Sequence, residues 1–390
     1  MRKIEVEERR ARLGLRHHLA GGARAAGVEA AADDMVGLHA SDPVTAYLSA
    51  RARCPATTAD IDEALYERRS LLRILGMRRT LFMAPIPLAC LVQEGAANRL
   101  ISGERRRAAA MIESGGIADD GGTWLKTVEE ATLAALRARG HGTARELARE
   151  VPELGLQITF GEGKKWSGSM GVSTRVLFLL ALEGRVGRGR PRGSWTSSQH
   201  RWEPIEAWAP GGLVGPGEEG ARVQIVASWL RTFGPGTIED LRWWSGWNLA
   251  EIRQALSSLD VCEVEVDGGV GLVLAADEEP APVPDSWVAL LPALDATPMG
   301  WKARDWYLGP HRTALFDRNG NIGPTVWHDG RVIGGWGQTS DRKVVYRLLE
   351  DPGRKASRRI DREVRDLEEW IGGARITPRF RTPLEIELGA

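Results

Sequence analysis

The chain has 390 residues, of which 52 are basic (Lys, Arg) and 52 acidic (Asp, Glu), so the formal net charge is zero. With 43% apolar and 27% charged residues it has the balance of a globular protein with roughly two to four domains, and its longest apolar run, Val176 to Leu182, falls far short of the ~20 residues of a membrane span. The opening MRKIEVEERRARLG has no signal-peptide core, three scattered cysteines exclude a disulfide framework, and seven histidines form no HExxH-like pair. A cytoplasmic protein with no metal and no cofactor is therefore expected.

Local charge is uneven. Residues 1–110, 139–201 and 301–390 carry a basic excess, whereas 202–300 is strongly acidic. A polyanion would find its partners in the basic stretches.

Taken in chain order, the first pattern is a helix near 31–39, then Thr57/Thr58 capping a helix over 60–68. A second helix over 70–75 follows, and then MRRTLFMAP as a strand. The next signals come as a repeat. Leu136-Arg137, Gly140-His141-Gly142-Thr143 and Leu147 recur as Leu230-Arg231, Gly234-Pro235-Gly236-Thr237 and Leu241, always 94 residues apart. In each copy a periodic helix runs to a glycine free to take a positive φ, and a threonine then caps the next helix. Copy one continues with helices at 143–149 and about 172–183 and a Gly- and Arg-rich strand, GRVGRGRPRGSW. Copy two continues with 238–244, 249–259 and VCEVEVDGGVGLVLA, a hairpin signal centred on Asp267-Gly268. Helix, turn, helix, helix, hairpin is the order of a winged helix-turn-helix.

Beyond the prolines at 280, 282 and 284, short strands are expected in SWVALLPAL, RTALFDR and TVWHDGRVIGGW, with tight turns at Asn319-Gly320 and Asp329-Gly330. A charged helix over 356–370 follows. The expected fold class is α+β: tandem winged helix-turn-helix domains over 1–112, 113–215 and 216–280, and a C-terminal antiparallel β-barrel with a helix over 281–390. Of the fifteen tryptophans, Trp243, Trp244 and Trp247 are expected to pack between domains. Trp195 and Trp202, beside the basic hairpin, are candidates for stacking on bases.

Two strings, GLHASDPVTAYLSARAR (37–53) and LLPALDATPMGWKARDWYLG with GPTVWHDGRVIGGW, together with the repeated winged helices between them, give the chain a resemblance. Over nearly its whole length it resembles the AlkZ/YcaQ-like winged-helix DNA glycosylases. The resemblance implies three tandem winged helices and a β-barrel forming a C-shaped clamp on double-stranded DNA. It also implies removal of bulky alkylated purines and unhooking of interstrand crosslinks, as DNA repair or as self-resistance to a genotoxin. That family's motif is Gln-apolar-Gln or Gln-apolar-Asp, usually followed by an acidic residue and Pro. Here the frame reads His39-Ala40-Ser41, then Asp42-Pro43, so both catalytic side chains differ.

Hydrolysis of the bond to an N7- or N3-alkylated purine needs little acid catalysis. It needs an oriented water and stabilisation of an oxocarbenium-like sugar. His39 is the expected acceptor of that water's proton. Ser41 orients the water or meets the sugar phosphate. Asp42 either fixes the His39 tautomer or itself offers negative charge to the sugar cation. Arg51 and Arg53 follow within helical reach of phosphates. Arg185, Arg188, Arg190 and Arg192 alternate with glycines in a probable hairpin, at the position of the basic hairpin that enters DNA in the resembled family. Lys164 and Lys165, in the loop GEGKKWSG, contact DNA or merely link elements. His39, Ser41 and the basic hairpin are expected to share one cationic channel around a duplex, gripped by a single chain acting as a monomer. The competing reading is a non-catalytic winged-helix DNA-binding protein, and a third is a protein-interaction scaffold.

Overall fold

The computed structural model describes residues 1–160 and 167–389. Lys164 and Lys165 lie outside the described residues. The chain opens with helices Val6–Arg16, Val28–Asp34 and Pro43–Arg53, then Thr58–Asp62 running into a π-helical turn Glu63–Glu67. The tract expected as a second helix is instead the strand Leu71–Leu75. Its sequence, LLRIL, is buried at all five positions. Five residues make a poor isolated helix but an adequate central or edge strand, so sheet pairing prevails over helical propensity. Leu71–Leu75 pairs antiparallel with Leu81–Pro85, which pairs in turn with the two-residue strand Leu38–His39. His39, expected near a helix end, thus lies on a sheet edge. The loop joining the two longer strands holds Arg78 at φ 55° and Arg79 at φ 60°. Side-chain-bearing residues in this left-handed region cost of order 1–3 kcal/mol each.

The two repeat copies are built alike at their helix starts. Thr143 Oγ1 accepts from the Glu146 amide at 3.2 Å and Thr237 Oγ1 from the Asp240 amide at 3.1 Å. The acidic side chain reaches back to the threonine amide in both. The same box, Thr57 with Asp60, opens Thr58–Asp62. The two glycines act differently. Gly140 ends helix Gly121–Arg139 at φ 79°, as expected. Gly234 ends Gly217–Phe233 at φ −69°. Glycine is required there because a Cβ would lie 2.3 Å from the Leu230 carbonyl oxygen. Helices Ile238–Ser245 and Leu249–Ser257 lead into the hairpin Val261–Val266 with Gly269–Leu274. Arg2–Lys3 adds to it as a parallel strand.

The C-terminal part corrects the expected barrel. Val288–Leu291, Thr325–His328, Arg331–Gln338 and Val344–Leu348 form an open antiparallel sheet in sequence order, and among the described residues it does not close. Helices Gly353–Ile371 and Pro383–Leu388 pack against its outer strands, which protects the edges without closure. RTALFDR, expected as a strand, holds the short helix Arg312–Leu315. Asp317 then turns the chain by accepting from the Asn319 and Asn321 amides, each at 2.8 Å.

One apolar core runs from the first segment through Trp229, Trp244 and Trp247 into the C-terminal sheet, whereas 108–186 has a core of its own. Trp244 and Trp247 are 8% and 3% exposed. Within the shared core sits a polar knot. Arg53 and Asp295 are both 0% exposed at the side chain and pair bidentately, through Nη2 to Oδ1 at 2.7 Å and Nη1 to Oδ2 at 2.9 Å. Ser49 Oγ and the Thr297 amide also donate to Asp295, and Arg53 donates to Thr297 Oγ1, which also touches His17 Nδ1. Burial pushes the Asp295 carboxyl up, and the adjacent guanidinium more than cancels this, holding it below the usual range. Arg53 is therefore not a phosphate contact. Removing it strands a buried carboxylate, so Arg53→Ala should destabilise the protein by about 3–5 kcal/mol in urea unfolding. A surface phosphate ligand would instead change stability by less than about 0.5 kcal/mol.

Candidate active site

The HASD string runs out of the edge strand into helix Pro43–Arg53. Asp42 caps that helix, accepting from the Val44 amide at 3.1 Å and, through its other oxygen, from the Arg379 amide at 3.3 Å. Burial pushes its carboxyl up. It faces a small apolar cavity of about 20 Å³ lined by Leu48, Pro292 and Trp336. Ser41 Oγ accepts from the Leu81 amide at 3.4 Å. Neither side chain bonds His39, so the expectation that Asp42 sets the His39 tautomer is corrected: backbone amides already occupy both carboxylate oxygens.

His39 faces elsewhere. Its ring meets Phe82 edge-on at 6.3 Å and lines a separate cavity of about 110 Å³. Met35, Met77, Phe82, Trp244 and Met299 give this cavity apolar walls, and Arg78, Thr80 and Asn321 supply polar groups. The imidazole is pushed down to about 4, by burial above all, so it is neutral near pH 7. Its Nδ1 is buried without a hydrogen-bond partner. An unpaired buried acceptor or donor is costly; the cavity that the ring lines has room for water.

The cations around this cavity are not those expected. Arg78 stacks on Trp243, with its guanidinium carbon 4.4 Å from the ring centroid, and Arg304 stacks on the same ring at 4.5 Å. Arg304 and Arg312 both lie over Phe316, at 5.1 and 4.9 Å. Among the described residues none of these three arginines has a carboxylate within 4 Å. Arg304 is 5% exposed, held by the Trp301 carbonyl at 3.0 Å. Burial lowers its affinity for a proton, and Arg312 and Arg78 add repulsion. Arg78 and Arg312 are exposed. Cation–π contacts thus gather three arginines that have no ion-pair partner among the described residues, although Asp240 favours the charge on Arg304.

The basic hairpin corrects the expected wing. Strands Val186–Pro191 and His200–Pro204 pair as expected, but their tip docks inside the protein. Trp195 packs on Tyr47 at 5.3 Å and on Trp370 at 5.6 Å, so it fills an inter-segment contact and is unavailable to stack on bases. Arg190 pairs with Asp62 and Glu67 at 2.8 Å each. Arg185 pairs with Glu130 at 3.0 Å. Arg51 pairs with Glu363 of the C-terminal helix. Arg192 is exposed, with Glu146 at 3.8 Å. Trp202 lies under Arg188 at 5.5 Å.

The hairpin and His39 also do not share a face. In the first sheet His39, Phe82 and Ile74 stand in one row, and Leu38, Met83 and Arg73 in the next. Adjacent rows point to opposite faces. Arg73 reaches His200 of the hairpin on the side away from the imidazole. Arg78, which lines the His39 cavity, and Arg304, which shares the Trp243 ring with it, were missed because each is an ordinary surface-type arginine in sequence. The available signal was Arg304's place inside WKARDWYLG, one of the two strings that carried the resemblance.

The whole arrangement is an α+β fold shared with a solved DNA-repair protein. The Streptomyces sahachiroi DNA glycosylase AlkZ matches with a TM-score of 0.72 at 21% identity, over 97% of this chain and 99% of that one. The family model described as DNA glycosylase AlkZ-like matches residues 32–370, and the chain belongs to that family. The interstrand DNA cross-link repair glycosylase of the same organism is 28% identical over 174 residues, which cover 42% of this chain and 47% of the relative. That match spans about half the relative's length. Among the described residues no helix is long and apolar enough to cross a membrane, and no group of three or more His, Cys, Asp or Glu is placed to hold a metal.

The depressed imidazole has a direct readout. Selectively labelled His39 should keep neutral-ring NMR shifts from pH 7 down to about 5 and titrate near 4. A midpoint near 6.5, the ordinary value of an imidazole, would show a solvated ring and remove the enclosed cavity from the site.

Proposed function

We propose that this chain is a monomeric DNA glycosylase that hydrolyses the N-glycosidic bond of bulky or crosslinked alkylpurines in double-stranded DNA. In this reading its three helix–hairpin segments act as winged helices. The observation that carries the site is the neutral His39 imidazole lining a cavity whose wall includes Arg78, an arginine with no carboxylate within 4 Å among the described residues.

The chemistry follows from the charges. An N7- or N3-alkylated purine is cationic and leaves as a neutral base when its bond to C1′ breaks. The sugar then carries the positive charge, and an attacking water must lose a proton. The His39 imidazole orients that water and accepts its proton. With a conjugate acid near 4 it is a weak base, which suits a reaction whose leaving group needs no protonation. Arg78 and Arg312 meet phosphates at the rim, while Arg304, beneath Trp243, is a positioning residue that keeps that ring and Arg78 in place. Met and aromatic walls receive the purine. Ser41 and Asp42 shape the turn that aims His39, rather than reacting themselves.

Two experiments test this. His39→Ala should cut release of an N7-alkylguanine from duplex DNA roughly a hundredfold while leaving duplex affinity unchanged. Equal release by both proteins would reject the catalytic role, and binding without release in the wild type would establish the non-catalytic DNA-binding reading instead. Arg78→Gln should weaken duplex binding and lower the slope of log K against log[salt] by about 0.9, the value of one phosphate contact. Arg190→Gln, whose side chain pairs internally, should leave that slope unchanged.

A further inference from the structure

One hairpin arginine breaks the pattern of its neighbours. Arg185 and Arg190 each have carboxylate partners, but Arg188 has none within 4 Å among the described residues. It lies instead over Trp202, in a cavity of about 440 Å³ lined by Thr143, Arg145, Arg188, Arg192, His200 and Trp202. Behind His200 stands Arg73. It is 3% exposed, and its Nε is buried without a partner. Its Nη2 donates to the Tyr66 hydroxyl at 2.7 Å and its Nη1 to His200 Nδ1 at 3.4 Å. That second bond leaves the ring proton on Nε2, as a donor. Glu146, the carboxylate touching this wall, is held in its helix cap and reaches only Arg192, at 3.8 Å.

From this cluster we propose a second anion site, on the face of the first sheet opposite His39, in which Arg188, His200 and the buried Arg73 behind it receive a phosphate group.

Several observations converge on this ligand. The groups come from two distant segments, the strand Leu71–Leu75 and the hairpin, so folding gathers like charges that local sequence does not. The guanidinium of Arg188 is desolvated and lowered to about 10, with Arg73 and Arg379 adding repulsion. His200 is pushed down to about 3 by burial, then by Arg73 and Arg188, so the free protein keeps the ring neutral because a third cation cannot be accommodated. A buried charge without a counter-ion is unfavourable. A phosphate between them offsets the repulsion: it pairs the Arg188 fork and accepts from His200 Nε2, while Nδ1 keeps its bond from Arg73. Planar guanidinium groups and an imidazole donor fit the oxygens of a phosphate rather than a single carboxylate. The cavity opens to solvent beside exposed Arg192, so the phosphate comes either from a DNA backbone or from a freely diffusing phosphate. The site goes beyond the glycosylase reading, since it involves none of the residues around His39.

The test uses the full chain with sodium phosphate as probe, at constant ionic strength held with sodium chloride. Phosphate should raise the Tm of the wild type, and the apparent affinity should fall by about tenfold or more in Arg188→Gln, as for loss of a charged hydrogen-bond pair. Arg185→Gln, whose side chain pairs elsewhere, should bind phosphate like the wild type. Without phosphate, Arg188→Gln should melt at the same temperature as the wild type or higher, because it removes repulsion. Should that substitution compromise folding, the wild-type His200 ring provides the readout: its Nε2–H NMR resonance should shift and become protected from exchange on phosphate saturation at pH 7, and an unchanged resonance would overturn the site. A pre-bound 20-base-pair duplex that abolishes the phosphate-dependent Tm rise identifies DNA as the source, and a rise that persists identifies free phosphate. No phosphate-dependent rise in the wild type, or an equal rise in Arg188→Gln, would overturn the site. Both results leave base release at His39 to be judged separately.

Discussion

Arg53 and Asp295 form the fully buried ion pair that ties the first segment of the chain to the C-terminal one. One side chain belongs to the helix that follows the HASD turn, and the other to the strand-end string LLPALDATPMGW. Neither has any contact with solvent, so each charge exists only because the other is there. Ser49 and Thr297 complete the donors around the carboxylate, and His17 ties in the first helix through Thr297. The consequence is positional. With Asp295 fixed, Leu294 and Ala296 on either side of it become walls of the His39 cavity, and Trp301 and Arg304 are placed against the third segment. A surface ion pair contributes little to stability, whereas this one sets a register between segments more than 240 residues apart.

The first sheet then separates two electrostatic environments. On one face a neutral imidazole lines a cavity together with Arg78, which stacks on Trp243, and Arg304 shares that ring from a buried position. On the other, the basic hairpin is strapped across the molecule by Trp195 and by ion pairs to Asp62 and Glu67. The same residue type therefore serves opposite ends. Arginine paired with carboxylate is structural cement, and arginine stacked on indole stays available to an anion. The left-handed backbone at Arg78 and Arg79 belongs to this logic. The tight loop holds Arg78 over Trp243, and the strain is tolerated because the flanking strands and Trp243 determine its position.

Much of the architecture was legible in the chain. The 94-residue offset, the capping threonines, the Asp267-Gly268 hairpin and the C-terminal helix are local features, governed by caps and turns within a few residues. The failures were of a different kind. Leu71–Leu75 reads as a short helix unless its partner Leu81–Pro85 is known, and an open sheet reads as a barrel until the covering helices are placed. Gly234 looks like a positive-φ cap, but the reason for glycine is contact with the Leu230 carbonyl. In the candidate site, His39 could be singled out because His39-Ala40-Ser41 before Asp42-Pro43 falls in the frame of the resembled family's motif. Arg78 and Arg304 could not, since nothing near them in sequence tells a stacked cation from a solvated one.

By itself, then, the amino-acid order determined the helix caps, the hairpin turns, the repeat and the string that carries His39, because these depend on neighbours a few residues away. Which way His39 points, which arginines surround it, and which are consumed in internal pairs were decided only by the tertiary structure. Charge compensation is a matter of distance in space: Arg53 and Arg190 meet their carboxylates through contacts 242 and 128 residues distant along the chain, and Arg188, in the same hairpin as Arg190, meets none among the described residues.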